Sequence, residues 1–107
     1  MVAESVVSSV RRYLSFVREN GVPVTFGVIF GSQASGKADE WSDIDLIVVS
    51  PRFDHERRRD DAILLGRFAA RTDTRLEPIP CGERQWEEDD STPIIEIARR
   101  TGERVTP

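Results

Sequence analysis

Residues 24–49 read VTFGVIFGSQASGKADEWSDIDLIVV, and the fold is decided in this stretch. Residues 24–30 are rich in β-branched and aromatic side chains, which suit a pleated surface, and they predict a strand covered on at least one face. Residues 44–49 predict a second strand, and Pro51 ends it because proline cannot donate to a ladder. Between them, residues 31–42 are polar, contain Gly31 and Gly36 and show no apolar period. They predict a loop with room for a short helical turn.

Working outward, Val6, Val7, Val10, Tyr13, Leu14 and Val17 recur at helical spacing, with Arg11, Arg12, Arg18 and Glu19 largely on the other face. Residues 4–19 therefore predict an amphipathic helix. Asn20-Gly21 ends it, and Pro23 opens the extended segment. Downstream, Ala62, Ile63, Leu64, Leu65, Phe68 and Ala69 predict a helix over residues 54–71 with a very polar first turn. Residues 75–80 predict a third strand, placed at a sheet edge or strand end by Pro78 and Pro80. After Cys81 comes the acidic cluster Glu87-Glu88-Asp89-Asp90, and Ser91-Thr92-Pro93 predicts the start of a last helix ending at Gly102. The order helix, strand, loop, strand, helix, strand, helix predicts one small α/β (α+β) domain over residues 1–107, with helices packed on one face of a sheet.

The chain has 107 residues, so one core is all it can support, and 38% hydrophobic with 32% charged residues is the balance of a soluble globular domain. A net charge of −4 argues against a surface that tracks a long nucleic acid, because such binding depends on cations that neutralise phosphates. Cys81 is the single cysteine and His55 the single histidine, which excludes an internal disulfide and a zinc cluster and suits a reducing cytoplasm. No apolar run is long enough to span a membrane and no export signal stands at the N-terminus.

Asp43 and Asp45 lie two apart at the start of a strand, where alternate side chains share a face. Two adjacent carboxylates repel unless a cation lies between them. Magnesium takes one or two protein carboxylates together with substrate phosphates, so the pair suits a Mg²⁺-nucleotide site. Gly31-Ser32 follows the preceding strand directly, and a glycine there lets backbone N–H groups and a hydroxyl approach an anion.

Taken together, Gly31-Ser32-Gln33-Ala34-Ser35-Gly36 followed by Ser42-Asp43-Ile44-Asp45-Leu46 resembles the signature of the DNA polymerase beta-like nucleotidyltransferase superfamily, in its minimal form without a separate substrate domain. The resemblance implies a small mixed β-sheet with packed helices and a third carboxylate from a later strand. Glu77 is the best match for that acid and Asp73 its competitor. It also implies a two-metal in-line attack on the α-phosphorus of ATP, with two Mg²⁺ ions held by Asp43, Asp45 and Glu77. Gly31 and Ser32 would hold the β- and γ-phosphates, with Lys37 and Ser42 as further nucleotide contacts. Ser35 stands where many minimal members have arginine, which removes a guanidinium from the phosphates.

Minimal domains of this kind are often antitoxins paired with a small helical HEPN-family ribonuclease, and the resemblance implies AMP transfer to a tyrosine of such a partner. A vestigial site that neutralises its partner by contact is the alternative from another class, and transfer to a small molecule is a third. Homo- or hetero-oligomerisation is left open. Trp41 either stacks on adenine or covers the core rim, Trp86 and the acids after it form a solvated face or touch a partner, and Arg57-Arg58-Arg59 lies on an exposed helix face, with contact to a partner or RNA as the alternative.

Overall fold

The computed structural model describes residues 2–39, 41–55 and 58–107. The first helix, α1 (Glu4–Glu19), buries Val6, Val10, Tyr13, Leu14 and Val17 along one stripe, as its periodicity predicts. Strand β1 (Phe26–Phe30) leads into a four-residue helix, α2 (Ser32–Ser35), and β2 (Ile44–Val49) follows. A 3-10 turn (Pro51–Asp54) comes next, its first turn capped by the Ser50 hydroxyl, which accepts from the Arg52 N–H. That turn, with Phe53 buried beneath it, explains why α3 (Arg58–Ala70) starts later than the predicted residue 54. In the predicted arginine run, Arg57 lies outside the described residues, and Arg59 is exposed.

Four strands form one sheet in the order β3-β2-β1-β4, where β3 is Leu76–Cys81 and β4 is Glu103–Val105. β1 is antiparallel to both β2 and β4, whereas β2 and β3 run parallel. The sheet is therefore mixed, as the resemblance implies. β3 occupies an edge, and its prolines show why. Ile44 donates to the Arg75 carbonyl at 2.8 Å and Ser50 to the Cys81 carbonyl at 3.0 Å, so odd-numbered residues of β3 face β2. Pro78 and Pro80, being even, turn their missing donors to the open edge, where nothing is lost.

The two faces of the sheet carry separate cores. On one face α1 and α3 pack over Ile29, Ile44, Leu46, Val48 and Leu76. Tyr13 ties the two helices by donating its buried hydroxyl to the Leu65 carbonyl at 2.8 Å, and burial holds that phenol protonated far above its ordinary range. On the other face Val28, Phe30, Ile47, Val49 and Cys81 meet Trp86, Ile95 and Ala98. These come from α4 (Glu83–Glu88) and α5 (Pro93–Thr101). The expectation of helices on one face thus holds for α1 and α3 only.

Helix α4 lies where the sequence shows an acidic tail. Its first turn is capped from a distance: Asp54, at the end of the 3-10 turn, accepts from the N–H groups of Arg84 and Gln85. Trp86, far from a solvated face, packs edge-on against Phe26 with ring centroids 5.7 Å apart. Asp89 of the acidic cluster is likewise structural, since it accepts from the Ser91 and Thr92 N–H groups at 2.8 and 3.1 Å and closes the turn that leads into α5. Its bonds to Thr92 and Ser91 hold its carboxyl well below the usual range. β4 was not predicted, because three residues carry no period. It forms through ladder pairing with β1.

Candidate active site

The register of the sheet determines which acids share a surface. Phe30 pairs with Asp45 across β1 and β2, and Asp45 with Glu77 across β2 and β3. Paired residues on neighbouring strands point to the same face, so Asp45 and Glu77 continue the row formed by Ile47, Val49, Ile79 and Cys81. Asp43, two before Asp45, has the same parity. The three carboxylates therefore extend the face covered by α4 and α5. Asp43 and Glu77 are exposed there and Asp45 is half-buried.

The nearness of the first two acids is visible in their electrostatics. Burial raises the Asp45 carboxyl above its usual range, and the charge of Asp43 raises it further. Both effects oppose two bare negative charges at this point, and a cation between them would relieve both. All three donors are carboxylate oxygens, the chemistry that a hard cation such as Mg²⁺ prefers. Among the described residues no group of three or more His, Cys, Asp or Glu side chains is already gathered to enclose a metal ion. Asp43 lies close enough to raise the Asp45 carboxyl, and Glu77 is the acid opposite Asp45 on the neighbouring strand.

Gly31 shapes the floor of the site. Its φ of 74° and ψ of −145° belong to a region that is nearly glycine-only. A Cβ at this position would stand 2.3 Å from Oδ2 of Asp45, so the absence of a side chain is what lets the carboxylate lie over the backbone. From Gly31 the chain turns straight into α2, where Ala34 and Ser35 donate to the Gly31 carbonyl at 3.1 Å. The N–H groups of Ser32 and Gln33 belong to the first turn of that helix, which has no partners within the helix. Ser32 is half-buried, and Lys37 is exposed just beyond Gly36. Ser35 is exposed, with its hydroxyl turned back to the Ser32 carbonyl at 3.2 Å.

Ser42 is placed differently from a free phosphate ligand. Its hydroxyl accepts from the Asp39 N–H at 3.0 Å and donates to Asp39 Oδ1 at 3.2 Å, so it is used within the loop. Sequence reasoning missed Gln33. It is only 6% exposed, and its amide donates to the carbonyls of Ser42 and Asp43 at 3.4 and 3.3 Å. It thereby latches the α2 turn to the start of β2. A glutamine between two glycines in a polar loop carries no outward sign of this role.

Asp73, the competitor for the third acid, is engaged by partners of its own. Asp73 Oδ2 accepts from the Ser9 hydroxyl at 2.6 Å and from Arg75 at 2.8 Å, while Oδ1 accepts from the Arg75 backbone and side chain. Arg75, helped by Ser9, holds this carboxyl far below its usual range against the opposing effect of burial. Asp73 is a structural anchor between α1 and the start of β3. A carboxylate with a depressed folded pKa stabilises the fold above its unfolded pKa of about 4, and that contribution is lost as pH falls through the folded value. Asp73→Ala is expected to cost roughly 1–2 kcal/mol at neutral pH in urea denaturation, to flatten the acid limb of stability and to leave catalysis near wild type.

Comparison with known proteins gives the family and the fold. The family model for the nucleotidyltransferase domain matches residues 10–100, from the middle of α1 to the end of α5. The chain belongs to that nucleotidyltransferase family. Solved structures similar to this nucleotidyltransferase domain include a crystal structure of a Sulfolobus solfataricus protein assigned as a nucleotidyltransferase. It is 21% identical, with a TM-score of 0.62 over 76% of this chain and 70% of that one. At that identity the likeness is one of fold. No curated protein matches the sequence. Among the described residues no helix of the domain is long and apolar enough to cross a membrane.

Proposed function

We propose that this nucleotidyltransferase domain transfers AMP from ATP to a hydroxyl on a partner protein, a HEPN-type toxin that the modification silences. The observation that carries the reading is the register that puts Glu77 beside Asp45 on the face shared with Asp43, next to the bare backbone of Gly31. Asp43 and Glu77 are exposed at the sheet's end, so a hydroxyl presented by a macromolecule has access to them.

Asp43 and Asp45 would hold Mg²⁺, with Glu77 completing the set, and the ions would neutralise the triphosphate and favour ionisation of the acceptor hydroxyl. Gly31 and Ser32 offer N–H groups and a hydroxyl to the β- and γ-phosphates, and Lys37 adds a positive charge. Ser42 contributes through the shape of the loop it closes with Asp39. The acceptor oxygen bonds to the α-phosphorus as the bond to the bridging oxygen breaks. Pyrophosphate leaves with that electron pair, and the hydroxyl proton passes to a carboxylate, the role assigned in this reading to Glu77. Of the groups on α2, none replaces the guanidinium that Ser35 lacks, which favours slow turnover.

The test is label transfer. Purified chain with Mg²⁺, α-labelled ATP and a HEPN-type protein encoded beside it is expected to leave label on that partner's tyrosine and to abolish its ribonuclease activity. An unlabelled partner that is nevertheless silenced would point to neutralisation by contact. Label found only on small-molecule acceptors would point to the third reading.

A further inference from the structure

We propose that Trp41 is the stacking platform for the nucleobase of the incoming nucleotide. The inference rests on nucleotidyl transfer at Asp43 and Asp45 and is independent of which acceptor is used.

Tryptophan carries the largest apolar surface of any side chain and is highly buried on average. Here its indole is 83% exposed. It does not cover the rim of the core. Among the described residues no aromatic ring or cation packs on it, whereas Phe16, Phe26, Phe68 and Trp86 all have ring partners. Phe30 and Phe53 belong to the two cores.

Its backbone, in contrast, is held on both sides. Asp39 Oδ1 accepts from the Trp41 N–H at 2.9 Å, and the Ser42 N–H donates to the Asp39 carbonyl at 3.2 Å. Gln33 then holds the carbonyls of Ser42 and Asp43. An exposed ring whose own backbone N–H is already bonded loses less freedom on stacking. Trp41 lies two residues before Asp43, a chain distance of at most about 7 Å. A nucleotide whose α-phosphate sits at the carboxylates thus has its base within reach of the indole. Membership of the family brings a nucleotide to this loop, which is why the base is favoured over a protein surface as the occupant. Stacking reads the face of the base and not its edge, so it favours purines by stacking strength while tolerating either one.

Fluorescence and kinetics test this together. Trp41 and Trp86 are the two tryptophans, and Trp86 is 8% exposed. With Mg²⁺ present, ATP is expected to quench the wild-type emission, and inorganic tripolyphosphate to bind without quenching. Trp41→Ala should lose the quench and raise the KM for ATP by about 5- to 100-fold with kcat within a few-fold. Its affinity for tripolyphosphate should be unchanged, and Trp41→Phe should recover most of the loss.

An ATP KM unchanged in Trp41→Ala overturns the proposal. So does an equal weakening of tripolyphosphate, which would mean a displaced loop. A rise confined to the KM of a protein acceptor overturns it too, assigning Trp41 to partner docking and leaving the transfer reaction intact. An unlabelled partner with the ATP quench preserved removes only the acceptor and supports the stack.

Discussion

Asp43→Asn and Asp45→Asn are each expected to lower nucleotidyl transfer by roughly a thousand-fold, comparable with or larger than the loss of one preorganised electrostatic contact in other active sites. Both variants should remain folded. Asparagine keeps the shape of aspartate and removes the charge, and the charge is what this surface disfavours. The Asp45 carboxyl is raised first by burial and then by Asp43. A carboxylate with a raised folded pKa costs stability when ionised, and the cost fades as pH falls through that value. At neutral pH without divalent ions, Asp45→Asn should therefore melt at or slightly above the wild type. Added Mg²⁺ with ATP should stabilise the wild type by mass action and the variant much less. Thermal melts with EDTA and with Mg²⁺-ATP, beside single-turnover kinetics, check both halves. A variant that unfolds, or one that retains activity, would remove the two acids from the catalytic role. A HEPN-type partner still silenced by either inactive variant would move the protein from enzyme to contact inhibitor.

Gly31→Ala is expected to damage the site through two separate strains. A side chain at φ 74° and ψ −145° occupies backbone space that costs about 1–3 kcal/mol. The new Cβ also stands 2.3 Å from Asp45 Oδ2, closer than any non-bonded pair tolerates. The oxygen is the end of a short side chain, so the cheapest relief is rotation of the carboxylate off the backbone. That moves the carboxylate proposed to hold the metal by on the order of 1 Å, a displacement that can cost about a hundred-fold in rate. The expected variant is folded, less stable by about 1–3 kcal/mol in denaturant and about a hundred-fold slower. If activity survived with only the stability loss, the floor of the site would not depend on the close approach of Asp45 to Gly31.

Much of this site is legible without coordinates because its signals are local. The run from Ile44 to Val49, rich in β-branched residues and ended by Pro51, marks a strand, and β-structure alone puts Asp43 and Asp45 on one face. The Gly31-Ser32 junction follows the last residue of β1, as its composition suggests. Pro78 and Pro80 mark an edge because a missing donor can only be tolerated there. The stripe of α1 reads directly from its period.

What stayed hidden depends on residues far apart in the chain. Glu77 and Asp73 are equally acidic in sequence. Only the parallel register with β2 and the hydrogen bonds from Ser9 and Arg75 separate the acid beside Asp45 from the one that anchors α1. Trp86 and Trp41 are both tryptophans beside acids, yet one is buried against Phe26 and the other stands in solvent. Helix α4 forms because Asp54, about thirty positions away, caps it, and β4 forms because β1 offers a free edge. The sequence by itself determined α1, the first three strands, α3 and α5, the Asp43-Ile44-Asp45 pair and the glycine that lies beneath it, since periodicity and backbone preference act over a few residues. Tertiary structure alone decided which acid lies beside Asp45 and which is anchored elsewhere, which glutamine latches the loop to β2 and which tryptophan stands in solvent, because burial and pairing are properties of the packed chain.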